Sequence, residues 1–140
     1  MKHYLITLFA LLFCSSVFAQ NNSMMVRMSE IEIDSNYLEQ YKAILKEEAR
    51  ASVELEKGVV SIFPMYQKES PTQVRILEIY ATKEAYESHL KTPHFQKYKT
   101  TTLHMVKSLK LIDMDVLDLE TMPQMFRKQK SGNKNKTIKK

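Results

Sequence analysis

Cys14 is the only cysteine in the 140-residue chain, and it sits in the apolar stretch near the start. With that stretch removed no thiol is left, which excludes disulfides, thiolate catalysis and cysteine metal sites. The lack suits an oxidising compartment, where a stray thiol is a liability. Long hydrophobic runs are also missing: Leu5 to Phe13 falls well short of the about 20 apolar residues that a membrane span needs. The methionines form no M-x-M-x-x-M cluster, so gap-filling in a core accounts for them better than copper binding. No aromatics interleave with the lysines and no recognition motif is present, which argues against nucleic acid as a partner. No internal repeat stands out.

The first nineteen residues carry the marks of an export signal. Lys2 and His3 give a basic start, the apolar run follows, and Val17-Phe18-Ala19 meets the peptidase requirement. Cleavage after Ala19 would leave Gln20 as the mature N-terminus and a periplasmic or secreted protein. A lipoprotein signal retaining Cys14 is the rival reading, with the bulky Phe13 against it. At the other end, residues 120–140 read as a basic tail expected to be disordered. Seven of the 21 basic residues follow Pro123 with no acid among them. Leaving those and Lys2 aside, the remaining thirteen face all 16 acids, so the chain between the signal and Pro123, which holds the domain of residues 24–119, is near −3 despite the overall +5. The high pI thus belongs to the tail and not to a surface groove.

Within that domain the periodicity changes several times. Met24 to Asp34 alternates as a strand, with Ile31 and Ile33 set against Glu30 and Glu32. Asp34-Ser35-Asn36 supplies helix-capping chemistry. A helix from Tyr37 to about Glu56 follows, its stripe made by Leu38, Tyr41, Leu45, Ala49 and Val53. Gly58 is expected to close it in a left-handed conformation. Val59 to Tyr66 and Gln73 to Ala81 read as a hairpin around Ser70-Pro71-Thr72. Thr82 caps a second helix that turns Ala85, Tyr86 and Leu90 inward, and Thr92-Pro93 breaks it. A third helix is expected from His94 to about Lys107 and a last strand from Leu109 to Leu119.

The order β-α-β-β-α-β predicts an α+β, ferredoxin-like fold with both helices on one side of an antiparallel sheet. Both faces of the sheet are apolar, through Val60, Ile62, Val74 and Ile76 and through Ile112, Met114 and Val116. Two helices cover one face only, and a monomer seldom leaves several hundred Å² of apolar surface bare. A face-to-face homodimer, with a cavity between sheet and helices, is the expected solution.

Chemistry concentrates between Glu78 and Phe95. Glu78 and Tyr80 share one strand face, and His89, on the next helix, supplies an imidazole able to move a proton near neutral pH. Each residue also has a plainer reading. His89 can bond a carbonyl at its helix end, Tyr80 and Tyr86 can be core aromatics, and Glu78 can pair with Arg75 or Arg27. His94 reads as a surface residue at a helix start, and His104 has no ligand partner at metal spacing.

The run E-x-Y-x-x-x-E-A-Y-x-x-H-L-x-T-P-H-F from Glu78 to Phe95, with V-R-M-S-E-I-E-I-D followed by Y-L-E-Q-Y-K, resembles the antibiotic biosynthesis monooxygenase family of dimeric α+β barrels. The resemblance extends over about Val26 to Asp118. It implies oxidation of a small quinol-like or phenolic aromatic by O₂ with no metal, flavin or other cofactor, the substrate being its own reductant. It further implies His89 as base, Tyr80 and Glu78 as catalytic partners, and Arg27, Tyr86 and Phe95 as substrate-binding residues. The alternative is a non-catalytic dimer holding a lipophilic molecule or haem. The lack of tryptophan, and Lys99 where haem-degrading relatives place a histidine, disfavour haem degradation.

Overall fold

The computed structural model describes residues 23–137, with side chains described as far as residue 129. The expected export signal, residues 1–19, and Cys14 lie outside the described residues. Strand β1 (Met25–Ile33) leads through a 3₁₀ turn (Ser35–Tyr37) into helix α1 (Leu38–Leu55). Strands β2 (Val59–Tyr66) and β3 (Gln73–Tyr80) come next, followed by helices α2 (Lys83–His89) and α3 (Pro93–Thr102). A 3₁₀ turn (Leu103–Met105), strand β4 (Val106–Met114) and helix α4 (Thr121–Thr137) complete the chain. The antiparallel sheet has the order β2-β3-β1-β4, as the ferredoxin-like pattern requires.

Local chemistry explains the element ends. The Asp34 carboxylate accepts the Asn36 amide at 2.9 Å, and the Thr82 and Thr92 hydroxyls cap α2 and α3. Pro93 occupies the first turn of α3, where a missing N–H costs nothing. The core lies between α1 and the sheet, built from Ile31, Ile33, Tyr41, Leu45, Val74, Ile76 and Met105. Each fully buried aliphatic side chain of this kind contributes about 1.5–3 kcal/mol.

Four expectations need correction. Val53 is 45% exposed, and Glu48 and Ser52 are buried in its place, because the inward stripe of α1 follows Tyr41, Leu45, Glu48 and Ser52. Gly58 does not have a positive φ. Its glycine requirement is steric: a Cβ there would stand 2.5 Å from the Cβ of Ala85 in α2. The last strand starts and ends earlier than its alternation suggests. It begins where Val106 pairs with Ile33 and stops where Met114 pairs with Val26, at the start of β1, leaving Val116 and Leu117 outside the sheet. The basic tail is helical over Thr121–Thr137. Asp118 accepts the Glu120 amide and the Thr121 hydroxyl ahead of the first turn, Pro123 falls within that turn, and Gln124, Met125, Arg127 and Lys128 are good helix formers.

Register divides the strands between two faces. Arg27, Ser29, Ile31, Ile76, Glu78 and Tyr80 point to the side on which α1, α2 and α3 lie. The opposite face carries Val26, Met28, Phe63, Met65, Leu77, Ile79, Ile112 and Met114. Val26 and Ile79, paired on the two inner strands, are buried, whereas Phe63, Met65 and Met114 are exposed. No helix packs extensively on this face among the described residues.

Candidate functional site

The two-layer arrangement leaves a cavity of about 270 Å³ between the helices and the inner sheet face. An engineered cavity of about 150 Å³ takes a benzene ring, so this one has room for about two fused rings. Its walls are mostly apolar, from Ile62, Leu90, Phe95, Leu109 and Leu111. All six residues singled out from the sequence line it: Arg27, Glu78, Tyr80, Tyr86, His89 and Phe95. β1 and β3 bring in the first three through their pairing of Arg27 with Glu78, and the Thr92-Pro93 break swings Phe95 against the His89 ring, 4.7 Å between centroids.

The polar groups inside form three sets. In the first, the Glu78 carboxylate accepts from Tyr80 Oη at 2.8 Å and from Ser29 Oγ, so it pairs with neither Arg75 nor Arg27. Burial, helped by the Glu78 charge, raises the pKa of the Tyr80 hydroxyl well above the usual tyrosine value and keeps it protonated. In the second, Arg27 Nη2 lies 2.7 Å from Asp113, and its guanidinium stacks 4.7 Å from the Tyr86 ring centre. Burial opposes the Arg27 charge, but Asp113 and Tyr86 outweigh it and the pKa is raised. Tyr98 of α3 also lines the cavity; its hydroxyl meets that of Tyr41 at 2.7 Å, and burial pushes Tyr98 up to about 12.

The third set surrounds His89, which is 3% exposed. Its Nδ1 is 2.9 Å from Glu56 Oε1, at the C-terminus of α1, and the same oxygen lies 2.6 Å from His94 Nε2. His89 is therefore tied to a carboxylate and not to a carbonyl, and His94 is a half-buried member of the cluster instead of a surface residue. Glu56, not Glu78 or Tyr80, orients the imidazole; Tyr80 only packs near it, 5.5 Å between ring centroids. Glu48 approaches the same two histidines from α1. Sequence reasoning passed over Glu48 and Glu56, although Glu48 left a trace as a carboxylate at helical spacing on an apolar stripe. The histidine–carboxylate contacts span more than thirty residues, beyond the reach of any periodicity.

Over residues 24–101, β1 through α3, the sequence matches the profile described as antibiotic biosynthesis monooxygenase. The chain belongs to that family. A solved structure from Bacteroides thetaiotaomicron, provisionally named an antibiotic biosynthesis monooxygenase, is 52% identical with a TM-score of 0.68, covering 69% of this chain and 91% of that one. A provisionally named monooxygenase from Lactobacillus acidophilus is 28% identical with a TM-score of 0.65; 67% of this chain matches 45% of that one. A Nitrosomonas europaea protein provisionally named for the same family has 18% identity, a TM-score of 0.65, and coverage of 69% of this chain and 92% of its own, and shares the fold. No curated protein matches. Family membership together with these neighbours supports an assignment as a monooxygenase. Among the described residues, no helix is long and apolar enough to cross a membrane.

Proposed function

We propose that the protein is a monooxygenase that uses the cavity between its sheet and helices to oxidise a small quinol-like or phenolic aromatic with O₂. One observation carries the reading. A buried imidazole, held at Nδ1 by a carboxylate, lines an apolar cavity of two-ring size that also presents a charged guanidinium. When His89 donates its Nδ1–H to Glu56, its Nε2 is left as the proton acceptor, and Glu56 offsets the positive charge that develops.

The chemistry balances without another reductant. His89 takes the phenolic proton of the quinol, and the anion passes one electron to O₂. Superoxide and the ring radical then combine at a ring C–H carbon, with Arg27 favouring the charge on oxygen. The resulting peroxide recovers a proton from the imidazolium, and loss of water leaves a carbonyl. For a naphthoquinol the products are one hydroxynaphthoquinone and one water. Tyr80 and Glu78 orient the substrate hydroxyl, while Tyr86 and Phe95 hold the ring.

The enzyme acts as a homodimer exported by its first nineteen residues. The helix-free sheet face, with Phe63, Met65 and Met114 exposed, supports the pairing. The test is the reaction of a reduced naphthoquinol under ¹⁸O₂. One labelled oxygen in the hydroxynaphthoquinone is expected, whereas simple autoxidation yields unlabelled quinone and peroxide. Thermal stabilisation by the aromatic without labelling would instead favour the binding-protein alternative.

A further inference from the structure

The polar cluster around His89 has one group that the hydrogen-bond network leaves unanswered. Glu48 is 6% exposed; its Oε1 accepts the Ser52 hydroxyl at 2.8 Å, but its Oε2 is buried without a hydrogen-bond partner. Buried carboxylate oxygens are normally satisfied. Glu48, His89 and His94 each present one donor atom, and the three atoms lie within 4.8 Å of one another. Glu56 Oε1 lies 2.9 Å from His89 Nδ1 and 2.6 Å from His94 Nε2, which leaves the other nitrogen of each ring for a ligand.

We infer that Glu48, His89 and His94 form a binding site for a divalent transition cation, with Glu56 as the outer carboxylate that orients both rings. Two imidazoles and one carboxylate suit zinc, cobalt or iron and are too nitrogen-rich for calcium or magnesium. An outer carboxylate against a ligating histidine is the usual companion of such a site. Donors around a tetrahedral zinc at about 2.1 Å stand about 3.4 Å apart, so the three atoms need to close by at most about 1.4 Å. His94, half-buried at the start of α3, is the more exposed of the two rings. The cation would give Glu48 Oε2 the partner it lacks. Spacing in the sequence concealed the site because its three ligands come from α1, α2 and α3.

The consequence for catalysis rests on the oxygenase reading, whereas the binding itself does not. A cation on His89 and a proton-accepting His89 exclude one another, so loading would hold the enzyme in an inactive state.

The experiment titrates untagged, metal-stripped protein with Co²⁺ and follows the visible d–d absorption, with no substrate present. One Co²⁺ per chain is expected, displaced by Zn²⁺, together with a rise in melting temperature on Zn²⁺ addition. Glu48→Gln keeps the Ser52 bond and removes the charge, and His94→Ala alters a partly solvated position, so both are expected to fold. Each should weaken Co²⁺ binding by about 100-fold or more, since even outer partners are worth about 10–100-fold. No visible absorption in the parent protein, or folded variants that bind Co²⁺ as tightly as the parent, would overturn the assignment. These readouts are independent of the ¹⁸O₂ result.

Discussion

Replacing Glu56 by alanine removes the single oxygen against which two imidazoles rest. Its side chain is 13% exposed, His89's is 4% and His94's is 21%. The cost follows from what each ring can do afterwards. His89 has no access to water, so its Nδ1–H is stranded at about 2 kcal/mol, within the usual range for a buried unsatisfied donor. His94 is open enough to be rehydrated and loses about 1 kcal/mol. The expected total is about 3 kcal/mol, or about 10 °C in melting temperature for a domain of this size. Glu54→Ala is the matched control. Glu54 is exposed and meets Arg50 only at 3.5 Å, so its loss should cost below about 0.5 kcal/mol. Circular-dichroism melts of both variants measure the contrast. Nitrogen chemical shifts of the His89 ring should also move from a fixed Nδ1–H tautomer toward a mixture. A Glu56→Ala protein melting within about 2 °C of the parent would refute the reasoning, because a network worth about 3 kcal/mol cannot vanish silently.

Other outcomes follow from the same geometry. Gly58→Ala sets a Cβ 2.5 Å from Ala85 and should destabilise by about 1–3 kcal/mol. Adding Ala85→Gly should recover part of that loss, and a double-mutant cycle in urea with no coupling would contradict the steric account. Burial raises the pKa of Tyr41, Tyr80 and Tyr98 in the fold, while unfolded tyrosines ionise near about pH 10. Their contribution is therefore complete below pH 10 and declines as pH rises from there toward the folded values. With all three involved, stability should fall by up to about 4 kcal/mol per pH unit. Tyrosine ionisation followed by ultraviolet absorbance should accompany cooperative alkaline unfolding; gradual titration of a folded chain would argue against it.

Much of the fold was legible because alternation and helical spacing are short-range signals. Ile31 and Ile33 announced β1, and Tyr41, Leu45 and Ala49 announced the inner face of α1. Thr82 and Pro93 marked helix starts that the structure keeps. Elements whose limits depend on a distant partner were not legible. β4 ends at Met114 because β1 begins beside it, although alternation continues to Leu119. The reason for Gly58 lies in Ala85, on another element, and not in its own backbone. The tail composition pointed to disorder, but Asp118, just ahead of it, supplies acceptors at the start of α4.

The cavity shows the same division. Arg27, Glu78, Tyr80, Tyr86, His89 and Phe95 were recognisable because a short motif and strand parity bring them together. Their partners were not: Ser29 and Asp113 reach the site through cross-strand register, and Glu48 and Glu56 reach it through the packing of α1 against α2 and α3. Residue type singled out the base, and only the tertiary contacts reveal what holds it.

The most direct measurement is the rate of ¹⁸O incorporation into a naphthoquinol by the parent protein and by folded His89→Ala. The account predicts measurable labelling by the parent and a fall of about 10²-fold or more in kcat for the variant, the scale of a lost general base. Equal rates in the two proteins, or no labelling by the parent with any quinol or phenol that binds the cavity, would contradict it.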